Sequence, residues 1–136
     1  MYDHPQLIPE TRLELSCINR PYIIENTAGA PIRKDLTLNG DMFGLDVWRP
    51  RWFEYGGGFT CIQPDGPRKP LRGRVRGWRH GEWFDGPYVA VYGKGGGKAS
   101  VTEAQEAMGI DWTDDWHELT EAIPPAYTRH IGGFIK

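Results

Sequence analysis

The stretch "RPYIIENTAGAP", residues 20–31, decides how the rest of the chain is read. Tyr22-Ile23-Ile24 is a short apolar, β-branched run of the kind that forms a buried strand. It gives way to Glu25-Asn26 and then to Thr27–Pro31, a small-residue loop closed by glycine and proline. A carboxylate and an amide therefore stand at the C-terminal tip of a core strand. In open α/β sheets that tip is where ligands sit. A carboxylate partly withdrawn from water there has a raised pKa and suits proton transfer near neutrality. The same twelve residues also fit a plain loop, with Glu25 solvated and Asn26 bonded to its own backbone.

Working outward, Pro9–Arg20 carries Leu13, Cys17 and Ile18 at roughly helical spacing, with Pro9 and Glu10 suited to a first turn. That predicts a helix before the Tyr22–Ile24 strand, with Cys17 in the core. Residues 36–54 predict two short strands joined by a glycine-punctuated turn, with Leu36, Leu38, Val47, Trp52 and Phe53 as core. Gly56–His80 reads as mostly loop, and Tyr88–Tyr92 as a second buried strand. Ser100–Glu103 is a capping-box pattern opening a helix that Gly109 can stop. A helix from Thr113 to about Glu121 is favoured by Asp114 and Asp115. Pro124-Pro125 start a last helix running to about Ile135.

At 136 residues the chain makes one domain of modest core. No apolar run approaches a membrane span, and "MYDHPQ" is not a signal sequence, so no membrane partner and a cytoplasmic setting are expected. Cys17 and Cys61 lie 44 residues apart and the four histidines show no ligand spacing, so neither a disulfide nor a metal site is expected. The net charge of −2 hides an asymmetry. Residues 66–80 hold Arg68, Lys69, Arg72, Arg74, Arg76 and Arg79 and no acid, whereas residues 100–127 hold seven acids and no Lys or Arg.

Two arginines two apart on an extended segment, Arg49 and Arg51, point the same way and could reach one anion or one base edge. Stacking on the neighbouring tryptophans is the other reading. The 66–80 run, arginine interleaved with glycine and Trp78, suits a phosphate backbone; a solvated loop has the same composition. "YGKGGGK" departs from the nucleotide-binding G-x-x-x-x-G-K-[ST] pattern. Nothing near Cys61 marks it as a nucleophile.

In order, these pieces resemble the C-terminal half of a DNA cytosine-5 methyltransferase, particularly the compact versions common in phages of actinobacteria. Such proteins carry a segment like "RPYVIENVPGAPLRDPVxLCGSMFGLxVxRHRLFE"; here it stands as "RPYIIENTAGAPIRKDLTLNGDMFGLDVWRPRWFE". Their "VYGHGGG", "AMGIDWM" and "ELxxAIPPAYTxxIG" stretches correspond here to "VYGKGGG", "AMGIDWT" and "ELTEAIPPAYTRHIG". The resemblance covers nearly the whole chain and implies an α/β class with a partial Rossmann-like methyltransferase fold: the C-terminal half of the sheet, flanking helices and a glycine-rich loop region.

The resemblance also implies roles. Glu25 matches the glutamate that bonds and protonates the flipped cytosine, with Asn26 beside it and Thr27 where valine is usual. Arg49 and Arg51 match the family's Gln-x-Arg-x-Arg arginines around the target base, with Val47 at the glutamine position. Ile123, Pro124 and Pro125 match the stretch lying against S-adenosylmethionine, preceded by Glu121 where the family has asparagine. Residues 55–87 correspond to the DNA-contact region, which gives the 66–80 cations to phosphates.

The family's Phe-x-Gly-x-Gly cofactor loop and its Pro-Cys nucleophile are not in these residues. Alone, the chain is expected not to methylate. The expected partners are DNA and either a separately encoded N-terminal half or a second copy of this chain, covering the open side of the Tyr22–Ile24 strand. S-adenosylmethionine enters only through such a partner. A phage-encoded copy would work in the host cytoplasm. The alternative is an inactive methyltransferase remnant that binds DNA or a protein as a regulator.

Overall fold

The computed structural model describes residues 6–66, 75–94 and 99–135. Four helices and two small antiparallel sheets make a mixed α/β structure. Helix α1 spans Ile8–Cys17, with Pro9 in its first turn, and the chain leaves it through Asn19 at φ 49°, a left-handed exit that asparagine tolerates. Strands β1 (Tyr22–Thr27), β2 (Leu36–Leu38) and β3 (Arg51–Gly56) form the larger sheet in the order β1-β3-β2. Strand β3 runs antiparallel to both neighbours, so β1 and β2 are parallel and β1 is an edge.

The register explains what lies on each face. Thr27 pairs Arg51, Glu25 pairs Phe53, and Leu36 also pairs Phe53. Alternation therefore puts Ile23, Glu25, Arg51, Phe53, Tyr55, Leu36 and Leu38 on one face, and Tyr22, Ile24, Asn26, Trp52, Thr37 and Glu54 on the other. The first face packs on α4 (Pro125–Gly132), where Leu36, Leu38, Phe53, Phe59, Tyr127 and Ile131 form a buried cluster. The second face meets α1 through charge. Glu54, with no side-chain exposure, accepts from Arg12 Nε at 2.6 Å and Arg12 Nη2 at 2.8 Å, and from the Arg33 backbone at 2.9 Å.

Helix α2 (Val101–Met108) has the predicted box: Ser100 Oγ accepts from the Glu103 amide, Glu103 accepts from the Ser100 amide, and Gly109 stops the helix at φ 68°. Helix α3 (Trp116–Glu121) is capped by Asp115, whose carboxylate accepts from the Glu118 amide at 3.0 Å. Ala104, Ala107 and Met108 of α2 and Leu119 of α3 bury a second cluster with Val47, Val91 and Ile110.

Several expectations need correction. Strand β1 does not stop at Ile24 but runs to Thr27, because β3 offers partners as far as Arg51. Cys17 is exposed rather than core, and Leu13 and Ile18 are exposed with it, because α1 docks by the Arg12–Glu54 pair and buries no residue fully. Trp52 is half-buried on the α1 side, with Lys34 Nζ 4.9 Å from its ring centre. Residues 88–92 are not a strand; Ala90 and Val91 are buried, and the Tyr88 backbone forms an isolated bridge with Val75. The "loop" before them contains a hairpin, β4 (Gly77–Arg79) and β5 (Glu82–Phe84).

Candidate functional site

The predicted site residues do not converge as one group. Glu25 and Arg51 do meet. Arg51 Nε lies 3.0 Å from Glu25 Oε1 on the α4 side of the sheet, and Arg51 Nη1 donates to the Pro50 carbonyl at 2.9 Å. Arg51 is mostly buried, while the Glu25 side chain keeps 36 % of its surface open, so its carboxyl remains reachable. Burial pushes the Glu25 pKa above the ordinary glutamate value, and the positive charges of Arg51 and Arg49 pull against it. The result is a reachable carboxyl with an elevated proton affinity beside a fixed cation.

Asn26 faces the other way, as its neighbour in a strand must. Its side-chain oxygen accepts from the Thr27 amide at 2.8 Å, and the residue lines a cavity of about 480 Å³ with Gln6, Leu7, Ile8, Thr11, Ile24, Ala30 and Pro31. Glu25 and Asn26 thus serve opposite faces of β1.

Arg49 is turned into the protein. Its Nε donates to the Ala122 carbonyl at 2.7 Å, its Nη1 to Val91 at 2.9 Å and its Nη2 to Thr120. Its own amide donates to Asn39 Oδ1 at 2.7 Å, and its carbonyl accepts from Tyr127 Oη at 2.8 Å. Burial, with Arg51 nearby, lowers its pKa to about 10, so it stays a cation at neutrality. Arg49 therefore joins the two buried clusters and contributes to Glu25 only through its charge.

In the stretch expected against the cofactor, Pro124 is fully buried, Ile123 packs on the α4 cluster and Pro125 opens α4. Ile123 and Pro124 are held in apolar packing, which does not fit direct polar contact with S-adenosylmethionine, whereas Pro125 lines an opening of about 610 Å³ together with Gln105, Asp111, Trp112 and Arg129. A second opening, about 580 Å³, is lined by Gly93, Lys94, Asp115, Trp116, His117, Thr120 and Glu121. Trp116 closes one side by donating its indole N–H to the Gly93 carbonyl at 2.8 Å. No spacing in the sequence links Lys94 to Trp116; the fold does.

Of the basic run, Arg68, Lys69, Arg72 and Arg74 lie outside the described residues. Arg76 pairs with Glu103, the capping-box acid of α2, and its amide donates to the Tyr88 carbonyl at 2.8 Å. Both side chains of that pair are over a third exposed, so a phosphate could compete for Arg76 at small cost. Arg79 stands in β4 opposite Glu82. Sequence reading missed the aromatic pair of this hairpin: Trp78 and Trp83 are directly opposite across it, ring centres 5.6 Å apart. The signal was present as "WRHGEW", two aromatics flanking a glycine turn.

Burial raises the Cys61 thiol pKa, the opposite of what a nucleophile needs. No helix among the described residues is long and apolar enough to cross a membrane. No protein-family model matches the chain, and no curated protein and no solved structure matches it.

Proposed function

We propose that this chain is the base-acid and DNA-contact part of a DNA cytosine-5 methyltransferase whose nucleophile and cofactor site come from a partner polypeptide. The observation that carries this reading is the Glu25–Arg51 pair: a reachable carboxyl of raised pKa, anchored by a mostly buried arginine at the end of a strand. In this reading Glu25 engages the N3 edge of a flipped cytosine and holds the proton there. That draws electron density from C6 and opens it to attack by the partner's cysteine. Arg51 fixes the carboxyl oxygen and balances its charge when the proton leaves.

Further support comes from β1, which lies at the sheet edge. That edge offers unpaired backbone groups to a further strand, and a partner polypeptide is the natural source. S-adenosylmethionine belongs to that partner, since Ile123 and Pro124 offer packing alone.

Arg49 favours a second reading. Its guanidinium is already bonded to three backbone carbonyls, so the base contact expected of it falls to Arg51. A remnant that binds DNA or a protein without catalysis retains the fold under that change.

Nucleoside mass spectrometry of 5-methylcytosine separates the two. Cells would produce the chain alone, with the polypeptide encoded just upstream, and with that polypeptide plus Glu25→Gln. Methylation only in the unmodified pair is the expected result. Equal methylation with Glu25→Gln would remove the acid role, and none in any culture would leave the binding remnant.

A further inference from the structure

The two edges of the larger sheet are finished differently. At β2 the Gln63 carboxamide takes the place of a neighbouring strand. Its Oε1 accepts from the Thr37 amide at 2.9 Å and its Nε2 donates to the Thr37 carbonyl at 2.7 Å. At β1 the outward groups follow from β3. The Tyr55 amide donates to Asp35 Oδ2 and the Phe53 carbonyl accepts from the Asp35 amide, so both residues turn their backbones to the β2 side. Trp52, Glu54 and Gly56 then bond β1 through Asn26, Ile24 and Tyr22, which leaves Ile23, Glu25 and Thr27 pointing outward. Thr27 is closed within the chain, its amide donating to Asn26 Oδ1 and its carbonyl accepting from the Ala30 amide. Pro21, the next outward residue at the other end, has no N–H. Among the described residues nothing bonds the main chain of Ile23 or Glu25 from outside.

This open edge is self-complementary. In an antiparallel pair of two copies centred on Ile24, Ile23 of each faces Glu25 of the other, and every outward donor meets an outward acceptor. Centring on Glu25 would set two carboxylates directly opposite, and centring on Ile23 would leave the Glu25 carbonyls facing Pro21 without a donor. The helices agree with this register. Arg12 turns one flank of α1 to Glu54 on β3, while Leu7 and Thr11 on the other flank line the cavity over Ile24 and Asn26. Ile18 shares the flank of Leu7 and Thr11, and Leu7 and Ile18 stand 60 % and 54 % exposed. A two-fold axis through Ile24, normal to the sheet, keeps both α1 helices on one face and runs them antiparallel. Leu7 of each copy then lies beside Ile18 of the other. We propose that the chain pairs with a second copy of itself through β1, with Ile24 on the axis. Ile23 of the copy stands directly opposite Glu25, so the dimer narrows access to that carboxyl. The two Glu25 carboxylates meet only on the diagonal, each beside its own Arg51. The pairing takes the edge that a partner polypeptide would need, so the dimer is the form of the chain without that polypeptide. It rests on the sheet edge and α1, not on the methyltransferase reading.

The test is sedimentation equilibrium of the full chain alone, with amide hydrogen exchange followed by NMR across the same concentrations. A monomer–dimer equilibrium is expected, with the Ile23 and Glu25 amides slowing as concentration rises. Leu7→Lys/Ile18→Lys brings like charges together across the axis and should weaken the dimer about tenfold or more. Leu7→Lys/Ile18→Glu brings opposite charges together and should restore it. Leu13→Lys, on the solvent side of α1 and 66 % exposed, should change nothing. All three positions are exposed, so the fold itself is not at stake. A chain that stays monomeric at millimolar concentration would overturn the pairing. So would a dimer whose Ile23 and Glu25 amides exchange as fast as in the monomer. Neither result bears on the methyltransferase reading, which 5-methylcytosine decides.

Discussion

Arg51 and Glu25 pair diagonally across the β1–β3 ladder, since the direct partner of Arg51 is Thr27 and that of Glu25 is Phe53. A diagonal pair needs a long side chain to close the gap, and arginine supplies it. Phe53, opposite Glu25 on β3 and on the same face, is buried in the α4 cluster, while the Glu25 side chain stays partly in solvent.

The raised Glu25 pKa gives the first prediction. A carboxyl whose folded pKa exceeds its unfolded value stabilises the fold at low pH, and that contribution is lost as pH rises through the folded value. Carboxyl-resolved NMR should show Glu25 titrating above ordinary glutamates. Arg51→Met, which keeps the apolar stem and removes the charge, should move it higher. A downward shift would mean that Arg51 is not what holds the carboxyl ionised.

Arg49 gives a stability prediction that separates it from Arg51. Arg49→Met leaves the carbonyls of Val91, Thr120 and Ala122 without their donor and should cost about 1–3 kcal/mol or more, the range for leaving one buried acceptor unsatisfied. Arg49→Lys restores the charge but cannot reach three carbonyls at diverging angles, so it should recover only part. Urea denaturation measures both. Arg51→Met, with its partner half in water, should cost much less.

Local rules carried the parts of the fold that depend on neighbours in sequence. The Ser100–Glu103 box, the Gly109 stop and the Pro125 start are each decided within one helical turn, and each stands where its residues call for it. Helix α1 shows where such rules end. Its apolar spacing marks a helix correctly but says nothing of Leu13 facing water, because docking depends on Glu54, 42 residues away. The site divides in the same way. Alternation alone puts Glu25 and Asn26 on opposite faces, whereas the inward turn of Arg49 depends on carbonyls more than 40 residues distant.

Glu54 provides the acid-side prediction. Its pKa is lowered chiefly by the Arg12 hydrogen bonds, with Arg33 adding to them and burial opposing. A depressed folded pKa gives stability that is present above the unfolded value and lost as pH falls through the folded one. Glu54→Gln should therefore cost about 1.5–3 kcal/mol at neutral pH and flatten the loss in acid, as followed by urea midpoints across pH. Arg12→Met should act locally: hydrogen exchange should quicken in α1 while β3 stays protected. Uniform quickening would show α1 to be part of the cooperative core.

The indole pair depends on a turn that can be tested without touching either ring. His80 and Gly81 both have positive φ, which β-carbon sterics resist in most residues and which glycine and asparagine accept. A Cβ on Gly81 would meet nothing within 4 Å, so Gly81→Ala should cost about 1 kcal/mol through the backbone alone. That is comparable to what the aromatic pair contributes, about 0.5–1.5 kcal/mol, and should loosen the tip of a ribbon only three residues long on each side. His80→Asn should hold or strengthen it, since asparagine leads at the first position of such turns. Circular dichroism reads the result directly, because two coupled indoles give a paired positive and negative band. The couplet should fade in Gly81→Ala and persist in His80→Asn; its survival in Gly81→Ala would show that the rings, not the left-handed turn, hold the hairpin closed.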